Sequence, residues 1–402
     1  MSTTGGSGTW VEGDCGQSTQ LVHAGVNPDP TTGAILTPIV QATTFVQESI
    51  DLYLSKGYSY SRTANPTVRA LENKIAEIEH AAGATCFSTG MAATVTVMTA
   101  FMRAGDHCVI TNCSYGGTNR VARKMFMGLG MEFSFVDFTD LAEIEGAIKP
   151  NTKLIFSETP ANPTLTLTDL QGVSAIAKKH NIVHCCDTTF ATPIITLALD
   201  HGVDIAMHST TKYYDGHNMT VGGVIACKTA EHDAEIKFFQ NMHGNVMSPM
   251  VAFLTLQATK TMKLRVLQQS QTAQKVAEFL EAHEKVEICR YPGLESFPKA
   301  QKAIADKQHK NNVHGGMLWF EVKGGTDAGR RLMDSVQRPW SLCENLGATE
   351  SIITCPSVMT HANMEKEDRL KVGITDGFVR VSCGIEDTED LIRALKVALD
   401  NL

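Results

Sequence analysis

Between residues 67 and 256, short apolar runs alternate with longer stretches whose apolar residues recur at helical spacing. The runs at 85–87, 107–111, 132–135, 153–157, 182–186, 204–207 and 223–226 read as strands, and 68–81, 92–102, 118–128 and 171–180 read as helices. Such alternation implies an α/β fold with a largely parallel sheet covered on both faces. A long helix over 254–280 leads into a second region with strands at 316–322 and 377–381 and a closing helix at 389–402. A chain of 402 residues exceeds what one core usually carries. The expected division is an arm over 1–62, a large domain over 63–258 and a smaller α/β domain over 259–402. In open α/β sheets, ligands gather outside the carboxyl ends of the strands. Residues just past those ends are therefore the candidates for chemistry.

Two of them form a pair. Asp187 closes the 182–186 run, and Lys212 follows the 204–207 run after the hydroxyl residues Ser209, Thr210 and Thr211. A lysine whose ammonium is destabilised by burial or by nearby positive charge forms Schiff bases with carbonyl compounds such as pyridoxal phosphate (PLP). PLP withdraws electrons well only with its ring nitrogen protonated, and a carboxylate such as Asp187 supports that. Taken singly, Lys212 reads as a solvated surface lysine and Asp187 as a turn or cap residue; as a pair they point to PLP. Upstream, residues 83–93 place small residues between a strand and an apolar helix, a setting in which helix N–H groups hold phosphate. Tyr115 follows the 107–111 run, where its ring can lie against a cofactor and its hydroxyl can move a proton.

Composition excludes other classes. Apolar residues make up 43% and charged residues 19%, with no long apolar run. A net charge of −8 gives no footprint for nucleic acid or an anionic membrane. Eleven cysteines without a CxxC or CxxH pattern read as free thiols in a reducing compartment, and the expected location is cytoplasmic. The first lysine or arginine is Lys56, which argues against mitochondrial import. Residues 1–17, rich in Gly, Ser and Thr, are expected to be disordered. Cys185 and Cys186 beside His184 read as buried thiols rather than a metal site, and no metal is expected. No GxGxxG follows an early strand, which disfavours a dinucleotide-binding dehydrogenase.

Seven segments carry a resemblance: YSRTANPT at 60–67, STGMAA at 88–93, SYGGT at 114–118, ETPANPT at 158–164, DTTF at 187–190, STTK at 209–212 and PSVMTH at 356–361. With these, the chain resembles the Cys/Met-metabolism family of PLP-dependent enzymes, which includes cystathionine γ-lyases, γ-synthases and β-lyases and methionine γ-lyases. The resemblance implies PLP fold type I, the aspartate-aminotransferase-like architecture, in a homotetramer built from two-fold dimers. It places Lys212 on the cofactor aldehyde and Asp187 on the ring nitrogen. Ser209, Thr211 and the N–H groups of Gly90 and Met91 fall on the phosphate. Tyr115 is placed on the ring face, Asn162 and Thr189 near the ring oxygen, and Tyr60 and Arg62 on the phosphate of a neighbouring subunit.

Arg380 sits in an otherwise apolar strand, FVRVS at 378–382. A buried guanidinium needs a partner, either a structural carboxylate or the α-carboxylate of an amino acid, and the resemblance selects the latter. Within the family, Gly117 stands where methionine γ-lyases carry cysteine. Glu344 matches an acidic position that cystathionine γ-lyases use near the distal ammonium of their substrate; without the match it reads equally well as a surface carboxylate. Two positions depart from the pattern: Asn345, usually serine in the lyases, and Thr188, more often asparagine. The closest implied activity is α,γ-elimination of cystathionine to cysteine, 2-oxobutanoate and ammonia, as in transsulfuration, with hydrogen sulfide from cysteine as a side reaction. The alternatives are γ-replacement on a homoserine ester, β-lyase or methionine γ-lyase chemistry, and a catalytically silent PLP-binding scaffold.

Overall fold

The computed structural model describes residues 15–359 and 366–402. Residues 1–14 and the Thr360–His361 end of the 356–361 segment lie outside the described residues, whereas Gln17 already opens a helix, Gln17–His23. Among the described residues two sheets form. The larger contains β1 (Gly83–Phe87), β2 (His107–Thr111), β3 (Glu132–Val136), β4 (Thr152–Glu158), β5 (Val183–Asp187), β6 (Ile205–His208) and β7 (Gly223–Cys227), in the order β1-β7-β6-β5-β4-β2-β3. From β3 to β6 every pairing is parallel. β7 runs antiparallel to both β6 and β1, because no crossover helix separates it from β6.

Helices cover both faces, so the central strands read as apolar runs rather than alternations. Val109 and Ile110 on β2, Leu154, Ile155 and Phe156 on β4 and Val224 and Ile225 on β7 are all fully buried. The edge strand β3 is only partly covered. The stretch 118–128, expected as one helix, is divided into an α-helical turn at Gly116–Val121, a π segment at Ala122–Phe126 and a 3-10 turn at Met127–Leu129.

The smaller sheet holds β8 (Val286–Arg290), β9 (Met317–Val322), β10 (Ser341–Leu342), β11 (Ile352–Thr354) and β12 (Phe378–Ser382), mostly antiparallel, in the order β10-β11-β12-β9-β8. It is reached through the helices Pro249–Ala258 and Met262–Ala282, which a 3-10 turn at Thr259–Thr261 separates. Arg265 secures this bend: buried, it donates from Nη2 to the Ala258 carbonyl at 2.9 Å and from Nη1 to the Tyr213 carbonyl at 2.9 Å. The junction between the sheets is thereby tied to the residue after Lys212.

All eleven cysteines are free, and only Cys15 and Cys343 are not buried. His184 is engaged on both ring nitrogens by hydroxyls, Ser157 at 2.8 Å and Ser174 at 2.9 Å, and burial pushes its imidazole down to about 3. No helix among the described residues is long and apolar enough to cross a membrane.

The chain ahead of the helix Pro66–Ile78 is pinned where it enters that helix. Asn65 caps the helix Pro66–Ile78, its Oδ1 accepting the Thr67 N–H at 3.0 Å, while its Nδ2 donates to the Val40 carbonyl at 2.9 Å. Asn65→Ala is expected to cost about 1–2 kcal/mol, as cap removals do. Limited proteolysis over residues 35–65 would show faster cleavage in the variant; parent-like cleavage and unfolding temperature would contradict this role.

Candidate active site

One cavity of about 490 Å3 opens at the carboxyl ends of the parallel strands, and the smaller sheet closes its other side. From the side of the larger sheet it is lined by Gly90, Met91, Tyr115, Asn162, Asp187, Thr189, Ser209, Thr211 and Lys212, and from the side of the smaller sheet by Glu344, Asn345 and Arg380. Tyr60 and Arg62 are not among the lining residues. Arg62 lies over the Tyr60 ring and donates to the Asn241 carbonyl at 2.6 Å, and both residues are exposed.

The loop 209–222 brings Lys212 into the cavity from the end of β6. Burial pushes its ammonium down to about 8, and the Arg380 guanidinium adds to the effect; the Glu344 and Asp187 carboxylates oppose it. Nζ donates to Asn345 Oδ1 at 2.7 Å. A primary amine at this point of titration reaches its nucleophilic form near neutral pH.

Asp187 ends β5 in register with Glu158, which ends β4. Burial raises both carboxyls above the ordinary range, and their proximity raises Glu158 further. Asp187 Oδ1 accepts the Thr189 N–H at 2.9 Å. Glu158 accepts the Tyr115 N–H at 2.7 Å and the Asn162 N–H at 2.8 Å, and so fixes the backbone beneath two cavity residues. Behind Asp187, His208 Nε2 lies 2.7 Å from Glu79 Oε1 and 3.2 Å from the hydroxyl of Thr188. Thr188 thus serves as a hydrogen-bond partner of His208.

At the start of the helix Gly90–Phe101 the Thr89 hydroxyl caps Ala92 N–H, and the N–H groups of Gly90 and Met91 have no intrahelical acceptor. Ser209 packs so tightly that a Cβ at residue 90 would lie 2.9 Å from the Ser209 Cβ. Together, N–H groups and a hydroxyl form a cradle for an anion. At the other end, Arg380 is buried, and burial pushes it down to about 10 against the pull of Glu344. It donates to Asn162 Oδ1 at 3.1 Å and to the carbonyls of Glu344 and Asn345 at 3.1 and 3.3 Å. None of these acceptors is a carboxylate, so the guanidinium can still pair with a carboxylate of a ligand. A Cβ at Gly117 would lie 2.5 Å from Cε1 of Tyr115 and 2.7 Å from Met91 Sδ, so a side chain there would displace the Tyr115 ring.

Sequence reasoning assigned no role to Glu158, His208, Glu79 or Asn218. Glu158 ends an apolar strand in the same way as Asp187, and that signal could have found it; Glu79 and His208 are linked only by the tertiary fold.

The donor set fits PLP: a phosphate cradle, a buried carboxylate and a depressed lysine line one cavity. The family model described as Cys/Met metabolism PLP-dependent enzyme matches residues 18–400. The chain is 41% identical to a cystathionine gamma-lyase of Bacillus subtilis (strain 168), over 96% of this chain and 100% of that one. It is also 41% identical to a cystathionine beta-lyase of Coxiella burnetii, over 95% of this chain and 97% of that one. Among solved structures, the cystathionine gamma synthase of Xanthomonas oryzae pv. oryzae in complex with aminoacrylate and cysteine superposes with a TM-score of 0.92 at 36% identity, covering 96% of this chain and 98% of that one.

The lowered Lys212 predicts a pH profile. Its neutral amine is the reactive form, so the rate at which the chain captures added PLP rises with pH and is half-maximal near 8. Lys212→Ala should abolish capture and the visible absorbance band that accompanies it. A half-point near the 10.5 of an ordinary lysine, or capture by Lys212→Ala, would contradict the assignment.

Proposed function

The chain belongs to the Cys/Met metabolism family of PLP-dependent enzymes, and on that premise we propose that it catalyses α,γ-elimination of cystathionine to cysteine, 2-oxobutanoate and ammonia. The observation that carries this reading is the pairing of Arg380 and Glu344 in one cavity: a cation for an α-carboxylate and an anion for a second amine.

The residues fit the cofactor in this way. Lys212 would hold its aldehyde carbon, Asp187 its ring nitrogen, and Ser209, Thr211 and the N–H groups of Gly90 and Met91 its phosphate. Tyr115 would lie against the ring, and Asn162 and Thr189 would serve the ring oxygen. Bound there, PLP acts as an electron sink for an amino acid's α-carbon. Arg380 grips the substrate α-carboxylate. Lys212 Nζ, positioned by Asn345 Oδ1, takes the Cα proton. The Tyr115 hydroxyl, above a backbone fixed by Glu158, delivers a proton to the departing γ-sulfur. Glu344 meets the distal ammonium, which a substrate without a second amine lacks.

Tyr60 and Arg62, exposed and outside their own cavity, are assigned to a neighbouring subunit's phosphate in a homotetramer. Exposed Ile35, Val46 and Ile50 of the arm support such an interface. Gly117 supports a cystathionine-type over a methionine γ-lyase-type pocket, because a larger residue would push on Tyr115. A second reading, γ-replacement on a homoserine ester, has the likeness to the gamma synthase structure in its favour.

Product analysis with cystathionine tests the proposal. Chiefly 2-oxobutanoate and cysteine are expected; chiefly pyruvate and homocysteine would mean β-elimination, and turnover only with a homoserine ester plus cysteine would favour the second reading. Glu344→Gln is expected to lower kcat/KM for cystathionine roughly tenfold, with little change for a substrate lacking the distal amine. Asn345→Ser is expected to alter the ratio of β to γ products, and an unchanged ratio would contradict its role beside Lys212.

A further inference from the structure

The amide of Asn345 has two ends, and the structure gives each a different partner. Lys212 Nζ donates to its Oδ1 at 2.7 Å, and its Nδ2 donates to Asn218 Oδ1 at 2.5 Å. Asn218 Nδ2 in turn donates to Glu350 Oε2 at 2.9 Å. The chain of hydrogen bonds therefore runs from a lysine to a carboxylate through two amides.

Its direction is set by chemistry. An ionised carboxylate only accepts, so Glu350 requires the NH2 end of Asn218. Asn218 then offers its oxygen, which requires the NH2 end of Asn345, and Asn345 is left with its oxygen toward Lys212. Reversing either amide would set two donors or two acceptors against each other. We propose that Asn218 is a positioning residue which, together with Glu350, holds the Asn345 amide with its oxygen facing the Lys212 amine. This rests on the reading of Lys212 as the reactive amine, and Asn218 itself does not line the cavity.

An acceptor fixed on Lys212 stabilises the ammonium more than the neutral amine. It works against burial and the Arg380 guanidinium, which favour the neutral form, and with the Glu344 and Asp187 carboxylates. Arg380 reaches Lys212 from β12, Glu344 from the loop after β10, Asp187 from the end of β5, and the Tyr115 phenol shares the cavity. None of these groups is altered by a substitution at residue 218. With a serine at 345, whose hydroxyl both donates and accepts, no outside group would be needed to set the direction.

The position allows a clean test. Asn218 has a φ of +55°, which glycine adopts without strain, so Asn218→Gly removes the side chain and leaves the turn intact. The measurement is the pH at which capture of PLP by the full-length chain is half-maximal, in the parent, N218G, N345S and the double variant. N218G is expected to lower the half-point by about half a pH unit or more, and to add no shift in the N345S background. An unmoved half-point in N218G, or an equal shift in both backgrounds, would overturn the proposal. Failure of Lys212 itself would read differently, as capture that survives Lys212→Ala.

Discussion

The cavity rests on charges taken out of water. Asp187 and Glu158 end neighbouring strands and are raised by burial; Lys212 and Arg380 face them and are lowered by it. Burying an ion costs several kcal/mol unless a partner meets it. Glu158 is met by two backbone N–H groups, and Arg380 by neutral oxygens. The hydrogen-bond acceptors on Arg380 are neutral, with the Glu344 carboxylate as its countercharge, and among the described residues the Asp187 side chain accepts only from Thr189. A ligand with a cationic ring nitrogen at one end and a carboxylate at the other would relieve both. The site is organised for such a ligand before it arrives.

The fold makes that arrangement affordable by sharing it between two regions. Parallel strands deliver Asp187, Glu158 and the Lys212 loop to one edge of the large sheet, because strands of one direction end together. The smaller sheet contributes Arg380 on β12 and the Glu344–Asn345 loop beside it. Arg380 bonds across the seam to Asn162, and Arg265 links the bend between the helices to Tyr213. This is a mixed α/β architecture of PLP fold type I, shared with its structural neighbours.

Much of this was legible in the sequence. The apolar runs of β2, β4 and β5 are bounded, so their burial could be read directly, and Asp187 and Lys212 stood out because each lies at or just past the end of such a run. The smaller sheet was harder. β8, β10 and β11 are short or partly exposed, and their pairing is set by partners far along the chain. The antiparallel course of β7 depends on a loop without helix, which periodicity does not report. Glu158, His208 and Asn218 escaped for another reason: each acts through a partner that is distant in sequence, so no local pattern marks it. Asn345 was visible as an exception, but only the structure supplied its two opposite partners.

The central claim is that the cavity holds PLP with its ring nitrogen on Asp187 and its aldehyde on Lys212. The most direct test is 15N NMR of the holoenzyme loaded with ring-labelled PLP. The ring nitrogen is expected to stay protonated to higher pH than in free PLP, and to lose this protection in Asp187→Asn. A ring nitrogen that titrates as it does in free PLP, or is indifferent to Asp187→Asn, would contradict it.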